Sequence, residues 1–249
     1  EILKRRFHED LFLNNINEAL SLTEECIVGS GWQTDFEWSI ISEFKRNKKK
    51  VTTFLDHWCN YKDRFIRNNI ECYPDEILVG DKYALDIASN CFENIPIKLV
   101  QNPYFNELVE SIKSLPLYNS DLNDSGLFLS ENLSDNSYFY EYNELTIIDK
   151  IAPILINSNF IKRLIIRPHP SDNVLKYQDL IVKWKPFISI SNESLLDIDI
   201  AKASYIFGCH STAMVIALMA KKKVFKCISD EDAIFNLPYN FNHLDDLVT

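Results

Sequence analysis

The sequence predicts an α/β fold in which a first domain of residues 1–116 and a second of residues 125–249 each contain a Rossmann-like parallel sheet. Three observations support this prediction. Short apolar runs alternate with helical segments along the chain, as in strand–helix–strand units. Polar residues directly follow several of these runs, and ligands bind at the carboxyl ends of strands in open parallel sheets. A polar stretch at 117–124 predicts a linker between the two halves.

In the N-terminal half, the pattern of apolar residues predicts a strand–helix–strand unit followed by two more strands. Thr34 and Asp35 precede the first helix and can cap it, and Asp81 is placed to cap a later helix at Lys82–Cys91. A further helix is predicted over residues 1–21, where apolar side chains share one stripe. The predicted strands are Cys26–Val28, Val51–Leu55, Glu76–Gly80 and Ile97–Val100.

The turn after the first strand contains Gly29 and Gly31, followed by Gln33. With only two glycines it is not a complete dinucleotide-binding fingerprint, so a plain tight turn is the alternative to a ligand-binding loop.

Asp56, His57 and Trp58 directly follow the second strand, at its carboxyl end. A carboxylate there can act as the general base for an acceptor hydroxyl. The adjacent imidazole could share this task or bind a sugar carboxylate, and the indole could stack on a sugar ring. The alternative is a solvated aspartate beside a partly buried His–Trp pair. Asp35 is a second candidate base, although helix capping is its simpler role, and Arg64 is expected on the surface.

In the C-terminal half, the apolar run Leu164–Ile166 predicts a strand that ends in Arg167-Pro168-His169-Pro170. A proline fixes its own backbone and restricts the residue before it, so the imidazole of His169 is presented on a stiff corner. Arg167 adds a positive charge at the same strand end. Taken alone, a His-Pro pair is also common as a plain turn.

A second strand, Tyr205–Gly208, leads through a polar turn into a helix of small residues. Gly208 permits close backbone approach. Ser211 and Thr212 lie where this helix begins, and hydroxyls, free backbone N–H groups and the positive helix end together suit a phosphate. The simpler alternative is a helix cap. The occurrence of both motifs in a strand–helix–strand context favours a functional site.

Ser130 and Glu131 follow another predicted strand, Gly126–Leu129, and are candidates for ligand contact. A helix is predicted over Glu144–Asn157, although Pro153 is expected to end or kink it. The triplet Asp197-Ile198-Asp199 spells a metal–nucleotide signature, but it lies inside a predicted helix and is interpreted as surface acid.

His169-Pro170 and Ser211-Thr212, in this order and context, are similar to the HP and S/T motifs of bacterial sialyltransferases and related Kdo transferases. The resemblance covers mainly the C-terminal half. It implies a GT-B arrangement, in which two Rossmann-like domains face an interdomain cleft and transfer needs no metal. In that family the histidine contacts the donor phosphate and assists the departure of CMP, and the serine and threonine hydroxyls hold the same phosphate.

Carried onto this sequence, the resemblance makes His169 catalytic and assigns nucleotide binding to the second domain. The acidic motif that these enzymes use as the base is not plainly matched, and Asp56 is our candidate for it on the acceptor side. The predicted nucleotide-binding residues are Arg167, Pro170, Gly208, Ser211 and Thr212. Since loops after strands border the cleft in GT-B enzymes, the predicted donor and acceptor contacts are Gly29, Gly31, Gln33, His57, Ser130 and Glu131.

The composition limits the possible partners. A formal net charge of −10 argues against nucleic acid as the main partner. An acidic sugar nucleotide would need local positive groups to bind. The six cysteines form no CxxC pair or Cys/His cluster, so zinc is not expected, and reduced thiols suit the cytoplasm. The resemblance implies that neither a metal nor another cofactor is needed, with the CMP-sugar as donor substrate. No apolar run is long enough to span a membrane, which leaves peripheral association at its inner face open.

The leading functional prediction is an inverting, metal-independent transfer of a sialic-acid-like sugar or Kdo from a CMP-sugar to a surface-glycan hydroxyl. The first alternative shares the fold and is a UDP-sugar transferase, a UDP-sugar 2-epimerase or a CDP-glycerol-type transferase. Many such enzymes carry an acid in the helix after the serine loop, and Ala213–Lys223 contains none, which favours the CMP-sugar. The second alternative is a non-catalytic glycan-binding module.

Overall fold

A computed structural model describes residues 15–31, 34–116, 124–133, 142–229 and 236–247 and divides the chain into two compact units, Glu1–Asn102 and Pro103–Thr249. The sequence placed the change of domain at 117–124, whereas these units divide before helix Pro103–Ser114. The reason is packing: Val109 and Ile112 of this helix belong to the same buried cluster as Ile216 of the second unit.

The first unit contains a four-stranded parallel sheet with the strand order β1-β2-β5-β6. A small antiparallel hairpin, β3-β4, lies between β2 and β5 in the chain. The strands are β1 (Glu25–Val28), β2 (Lys50–Leu55), β3 (Ile66–Arg67), β4 (Ile70–Glu71), β5 (Glu76–Val79) and β6 (Ile97–Leu99). The helices are α1 (Ile16–Leu22), α2 (Phe36–Arg46) and α3 (Lys82–Cys91).

Two predicted helix caps have different outcomes. Asp81 caps α3 as predicted, since its Oδ1 accepts the N–H of Ala84 at 2.8 Å. Asp35 occupies the N-cap position of α2, but its side chain accepts no capping hydrogen bond. Its Oδ1 lies 2.9 Å from Nε of Arg67 instead. The expectation that the Asp35 side chain caps the helix is therefore wrong, because an arginine distant in sequence competes for the carboxylate.

The second unit contains a six-stranded parallel sheet with the strand order β12-β11-β10-β7-β8-β9. The strands are β7 (Ser125–Leu129), β8 (Arg163–Arg167), β9 (Ile188–Ile190), β10 (Tyr205–Gly208), β11 (Lys223–Lys226) and β12 (Asn242–His243). The helices are α4 (Pro103–Ser114), α5 (Glu144–Asn157), α6 (Gln178–Lys183), α7 (Leu196–Lys202) and α8 (Thr212–Met219). Helix α5 continues past Pro153, so the proline does not end it.

Strand β7 lies inside this sheet, between β8 and β10, and all five of its residues are buried. Such a run is typical of a parallel strand covered on both faces. A Cβ added at Gly126 would lie 2.6 Å from the ring of Phe207 on β10, so only glycine fits this contact. The close fit of β7 fixes where its carboxyl end, and the residues after it, are placed.

Within the described part of the chain, no helix is both long and apolar enough to cross a membrane.

Candidate active site

The loop after β8 presents His169 to solvent. The backbone N–H of His169 donates to Oδ2 of Asp172 at 2.9 Å. The ring nitrogen Nδ1 lies 2.7 Å from Oγ of Ser171 and accepts the backbone N–H of Ser171 at 3.3 Å. Because Nδ1 acts as an acceptor, the proton of the neutral ring is on Nε2. The loop thus fixes the backbone of His169 and leaves Nε2–H as a donor.

A buried polar cluster hydrogen-bonds to Asp172 of this loop. Lys176 Nζ donates to Oδ1 of Asp172 at 2.6 Å and also to Glu144, and neither carboxylate side chain has exposed surface. Tyr177 donates its hydroxyl proton to Oδ2 of Asp172 at 2.6 Å, and Oγ of Ser130 lies 2.7 Å from the same hydroxyl. Burial alone would lower the pKa of Lys176, but its hydrogen bonds to Asp172 and Glu144 raise it overall. Lys176 therefore stays an ammonium that balances two buried acids.

The loop after β10 leads into α8, with Ser211 at the N-cap. Oγ of Ser211 accepts the N–H of Ala213 at 3.3 Å, and Thr212 is the first helical residue. A Cβ at Gly208 would lie 2.8 Å from Sδ of Met214, so glycine lets the first turn of α8 pack on the strand end. The N–H of Met214 donates to the carbonyl oxygen of Ser211 at 2.9 Å, so the N–H groups of Ala213 and Met214 already have partners at this helix end.

The same loop contains a buried histidine that the sequence did not mark as a site residue. The side chain of His210 is 2% exposed, and its Nδ1 lies 2.6 Å from Oε2 of Glu131. Oε1 of Glu131 also accepts the backbone N–H of His210 at 3.0 Å. Nε2 of His210 lies 3.3 Å from the hydroxyl of Tyr142. The carboxylate of Glu131 thus holds the loop that carries Ser211, and its predicted contact with a ligand stays a prediction.

Arg167 contacts the protein itself. Its guanidinium forms an ion pair with Asp199 and donates to the carbonyl oxygens of Glu193 and Leu195 at 3.2 and 3.3 Å. Asp199 is 5% exposed and also accepts the hydroxyl of Ser191. The interpretation of Asp199 as a surface acid is wrong, and the contacts of Arg167 shape the loop after β9. Its predicted contact with a nucleotide stays a prediction, as does that of Pro170, which is exposed beside His169.

In the first unit, the predicted base Asp56 follows β2 and keeps a side chain that is 68% exposed. Its Oδ1 accepts Nη1 of Arg64 at 2.9 Å. The same Nη1 donates to the carbonyl oxygen of Ser30 at 2.9 Å and lies 3.1 Å from its Oγ. Arg64 is 4% exposed, so the expectation of a surface arginine is wrong. This buried cation joins the loops after β1 and β2 and fixes the direction of the Asp56 carboxylate.

The neighbours of Asp56 are more enclosed. Nδ1 of His57 lies 3.3 Å from Sγ of Cys59. Trp58 is 6% exposed, and its indole N–H donates to Oδ2 of Asp81 at 2.8 Å. Stacking of Trp58 on a sugar ring is therefore not supported, because the ring is part of the core.

The glycine turn after β1 also contacts the hairpin. The carbonyl oxygen of Gly31 accepts Nη2 of Arg67 at 3.4 Å, and a Cβ at Gly31 would lie 2.9 Å from the carboxylate of Glu37. Gly29 is exposed. Gln33, predicted as a cleft residue, lies outside the described residues.

Within each unit, the predicted residues that the structure describes thus lie at or after the carboxyl ends of parallel strands. Sequence reasoning missed the residues that orient them, namely Arg64, Asp172, Lys176, Tyr177 and His210. Among the residues that the structure describes, no group of three or more His, Cys, Asp or Glu side chains could hold a metal ion.

Comparison with known proteins supports the fold. No protein-family model and no curated protein sequence matches the chain. Among solved structures, it is similar to the UDP-GlcNAc 2-epimerase from Methanocaldococcus jannaschii, with a TM-score of 0.51 and 14% identity over 85% of this chain and 63% of that one. It is also similar to the pneumococcal O-GlcNAc transferase GtfA in complex with UDP and GlcNAc, with a TM-score of 0.53 and 12% identity over 89% of this chain and 44% of that one.

The chain spans less than two thirds of the length of both solved structures. Identities this low show the fold alone. Both neighbours are GT-B enzymes, so the predicted fold class is confirmed: the chain has the α/β fold of the GT-B class, with a parallel sheet in each unit.

Proposed function

We propose that this protein transfers an acidic sugar from a CMP-activated donor to the hydroxyl group of a glycan. The observation that carries the proposal is the placement of the His169 loop and the Ser211 loop at one sheet edge. His169 and Ser211 follow β8 and β10, the strands on either side of β7. Adjacent strands are about 4.8 Å apart, so β8 and β10 lie about 10 Å apart, a gap that side chains from the two loops can close around one phosphate. A ring N–H, two hydroxyls and a helix N terminus suit a dianionic leaving group.

In the proposed reaction, an acceptor hydroxyl attacks the anomeric carbon while the bond from that carbon to the phosphate oxygen breaks. Nε2–H of His169 stabilises the charge that develops on the departing phosphate, and Ser211 and Thr212 bind its other oxygens. Asp56 takes the proton of the acceptor hydroxyl. Since one inversion occurs at the anomeric carbon, the product has the opposite anomeric configuration. The protein's own groups supply the charge stabilisation, so the proposal needs no metal.

Two observations bear on the choice of nucleotide. The stretch Ala213–Lys223 contains no Asp or Glu, and Ile216, near where many UDP-sugar enzymes carry an acid, is buried. This supports CMP. The similarity to a UDP-GlcNAc 2-epimerase and to a transferase bound to UDP supports the second candidate, a UDP-sugar enzyme. A CDP-glycerol-type transferase belongs to this second candidate, since it shares the fold.

A thermal-shift titration with CMP, UDP and CDP separates these candidates. A ligand that binds only the folded state adds about 2.7 kcal/mol of stability at a concentration of 100 Kd. We expect CMP to raise the melting temperature most. A larger shift with UDP would replace the CMP-sugar with a UDP-sugar, and a larger shift with CDP would favour the CDP-glycerol-type enzyme. Binding of CMP without turnover of any CMP-sugar would favour the glycan-binding module.

Replacement of the histidine tests its catalytic role. We expect His169→Gln to lower the transfer rate by about 10²- to 10³-fold, as for the loss of one donor to a developing oxyanion. The affinity for the intact CMP-sugar should change much less, because the charge on the phosphate increases mainly as the bond breaks. The matched control is His243→Gln, at another exposed histidine of the same unit. An equal loss in both variants, or full activity of His169→Gln, would contradict the assignment.

A further inference from the structure

The two residues directly after β7 each contact a different one of these two loops, the His169 loop and the Ser211 loop. Ser130 hydrogen-bonds Tyr177, whose hydroxyl donates to the carboxylate that holds the backbone N–H of His169. Glu131 binds both the backbone N–H and the ring of His210, the residue directly before Ser211. One loop is thus attached to Ser130, and the other to Glu131.

We propose that Ser130, Glu131, Tyr177 and His210 are positioning residues that set the distance between the His169 loop and the Ser211 loop. This proposal rests on the proposed function, because it assumes that both loops bind the same anion. None of the four needs to touch the substrate. Ser130 and His210 are 6% and 2% exposed, so both are better placed to hold protein groups than to meet a ligand.

Both loops are attached through charged side chains. The Glu131 carboxylate makes two contacts with one residue, which fixes the backbone and the ring of His210 together. On the other side, Asp172 receives a backbone N–H, a phenol and an ammonium within 2.9 Å. Hydrogen bonds to charged groups are stronger than those between neutral ones. Both loops are therefore held by charge-assisted bonds, while β7 itself is fixed in the interior of the sheet.

A double-mutant cycle tests this proposal. Tyr177→Phe removes only the hydroxyl that links Ser130 to Asp172, and Glu131→Gln keeps the shape but removes the charge. We expect each variant to weaken CMP binding by roughly ten- to a hundredfold, the range for one charge-assisted hydrogen bond. If both loops must converge on one phosphate, the double variant should lose much less than the product of the two effects, since residues acting together are not additive.

The ring nitrogens of the two histidines give a readout that a merely structural role would not change. In ¹⁵N NMR spectra without nucleotide, wild-type His169 should show the proton on Nε2, and His210 should show it on Nδ1, which faces Glu131. Tyr177→Phe should alter the signals of His169 and leave those of His210 in place. Glu131→Gln should do the reverse.

Matched controls are Tyr205→Phe, a partly buried tyrosine of the same sheet, and Glu110→Gln, an exposed glutamate paired with Lys113. Neither should change CMP binding or the ring signals. Unchanged histidine signals in Tyr177→Phe and Glu131→Gln, or losses of CMP affinity that multiply in the double variant, would overturn the positioning role. If the wild-type chain binds neither CMP nor UDP, the proposed function fails, whereas the ring spectra still decide whether these residues hold the loops.

Discussion

Asp56→Asn is expected to lower the rate of sugar transfer by about 10²- to 10⁴-fold, the usual contribution of a general base. The asparagine keeps the size of the side chain and can still accept the hydrogen bond from Arg64, so the fold should be retained. What is lost is the ability to take a proton. Binding of CMP should be unchanged, because the residues proposed to hold the nucleotide belong to the other unit.

The chain offers a close control for this substitution. Asp35 is also an exposed aspartate held by an arginine, with Oδ1 2.9 Å from Nε of Arg67. It follows the first strand rather than the second, and it was the second candidate base. Asp35→Asn should leave the transfer rate within about twofold, as expected for an exposed ion pair away from the reacting atoms.

The measurement is the initial rate with saturating CMP-sugar and a range of acceptor concentrations, for both variants across pH 5 to 9. A wild-type rate in Asp56→Asn would remove Asp56 as the base. A loss only in Asp35→Asn would transfer the role to Asp35. Equal losses in both would mean that the arginine pairs, rather than a proton acceptor, determine the rate.

Elements whose causes are local could be predicted from the sequence. The predicted strand Tyr205–Gly208 and helix Lys82–Cys91 appear with those same bounds. Their signals, an apolar run ending at a glycine and an aspartate before an amphipathic segment, are contained in about ten consecutive residues. The positions of the His169 loop after β8 and the Ser211 loop after β10 followed from the same kind of pattern.

The partners of charged side chains could not be predicted, because they are distant in sequence. Arg64 bonds Ser30 and Arg167 bonds Asp199, at separations of 34 and 32 residues. Glu131 bonds His210, which lies 79 residues later in the sequence. A single sequence gives the charge of each residue and its local periodicity, but the pairing depends on strand order. The sequence analysis therefore assigned these charged side chains to solvent or to a ligand. In the structure, each of them also has a partner within the protein.

The support of His169 shows the same limit at shorter range. Asp172 and Ser171 are close enough in sequence to be recognised as turn residues, since aspartate and serine often bond nearby backbone groups. The sequence does not show that Asp172 also receives Lys176 and Tyr177 in a buried cluster, because that depends on how the segment after β8 packs against α5. The His-Pro pair therefore indicates where this turn lies but not the residues that hold it.

The largest stability change is expected for Lys176→Met, which removes the cation between two buried acids. The side chains of Glu144 and Asp172 have no exposed surface, and Lys176 contacts both. Removing one partner of a buried ion pair costs about 3–5 kcal/mol, because the remaining charge is left without compensation. Methionine fills a similar volume, so the loss should reflect charge rather than a cavity. Urea unfolding at pH 7, followed by tryptophan fluorescence, measures it.

The pH dependence of this loss has a definite sign. In the wild type, the raised pKa of Lys176 means that its stabilising contribution is complete below the ordinary lysine range and is lost only as pH rises through the folded-state pKa. At pH 5 to 7 this contribution is therefore constant. In Lys176→Met, protonation of a buried acid relieves the uncompensated charge, so the folded variant gains stability relative to the wild type as pH falls. The difference between the two proteins should be smaller at pH 5 than at pH 7.

Two further variants separate charge from packing. Lys183→Met removes an exposed lysine that pairs with Asp149 at 2.7 Å, and it should cost less than about 1 kcal/mol, as surface ion pairs do. Adding Glu144→Gln to Lys176→Met should recover part of the lost stability, because one of the two uncompensated charges is then neutral. A loss in Lys176→Met no greater than in Lys183→Met, or one that does not depend on pH, would show that water or other groups already compensate these acids. The loop that carries His169 would then owe its position to its own turn rather than to the buried charges beneath it.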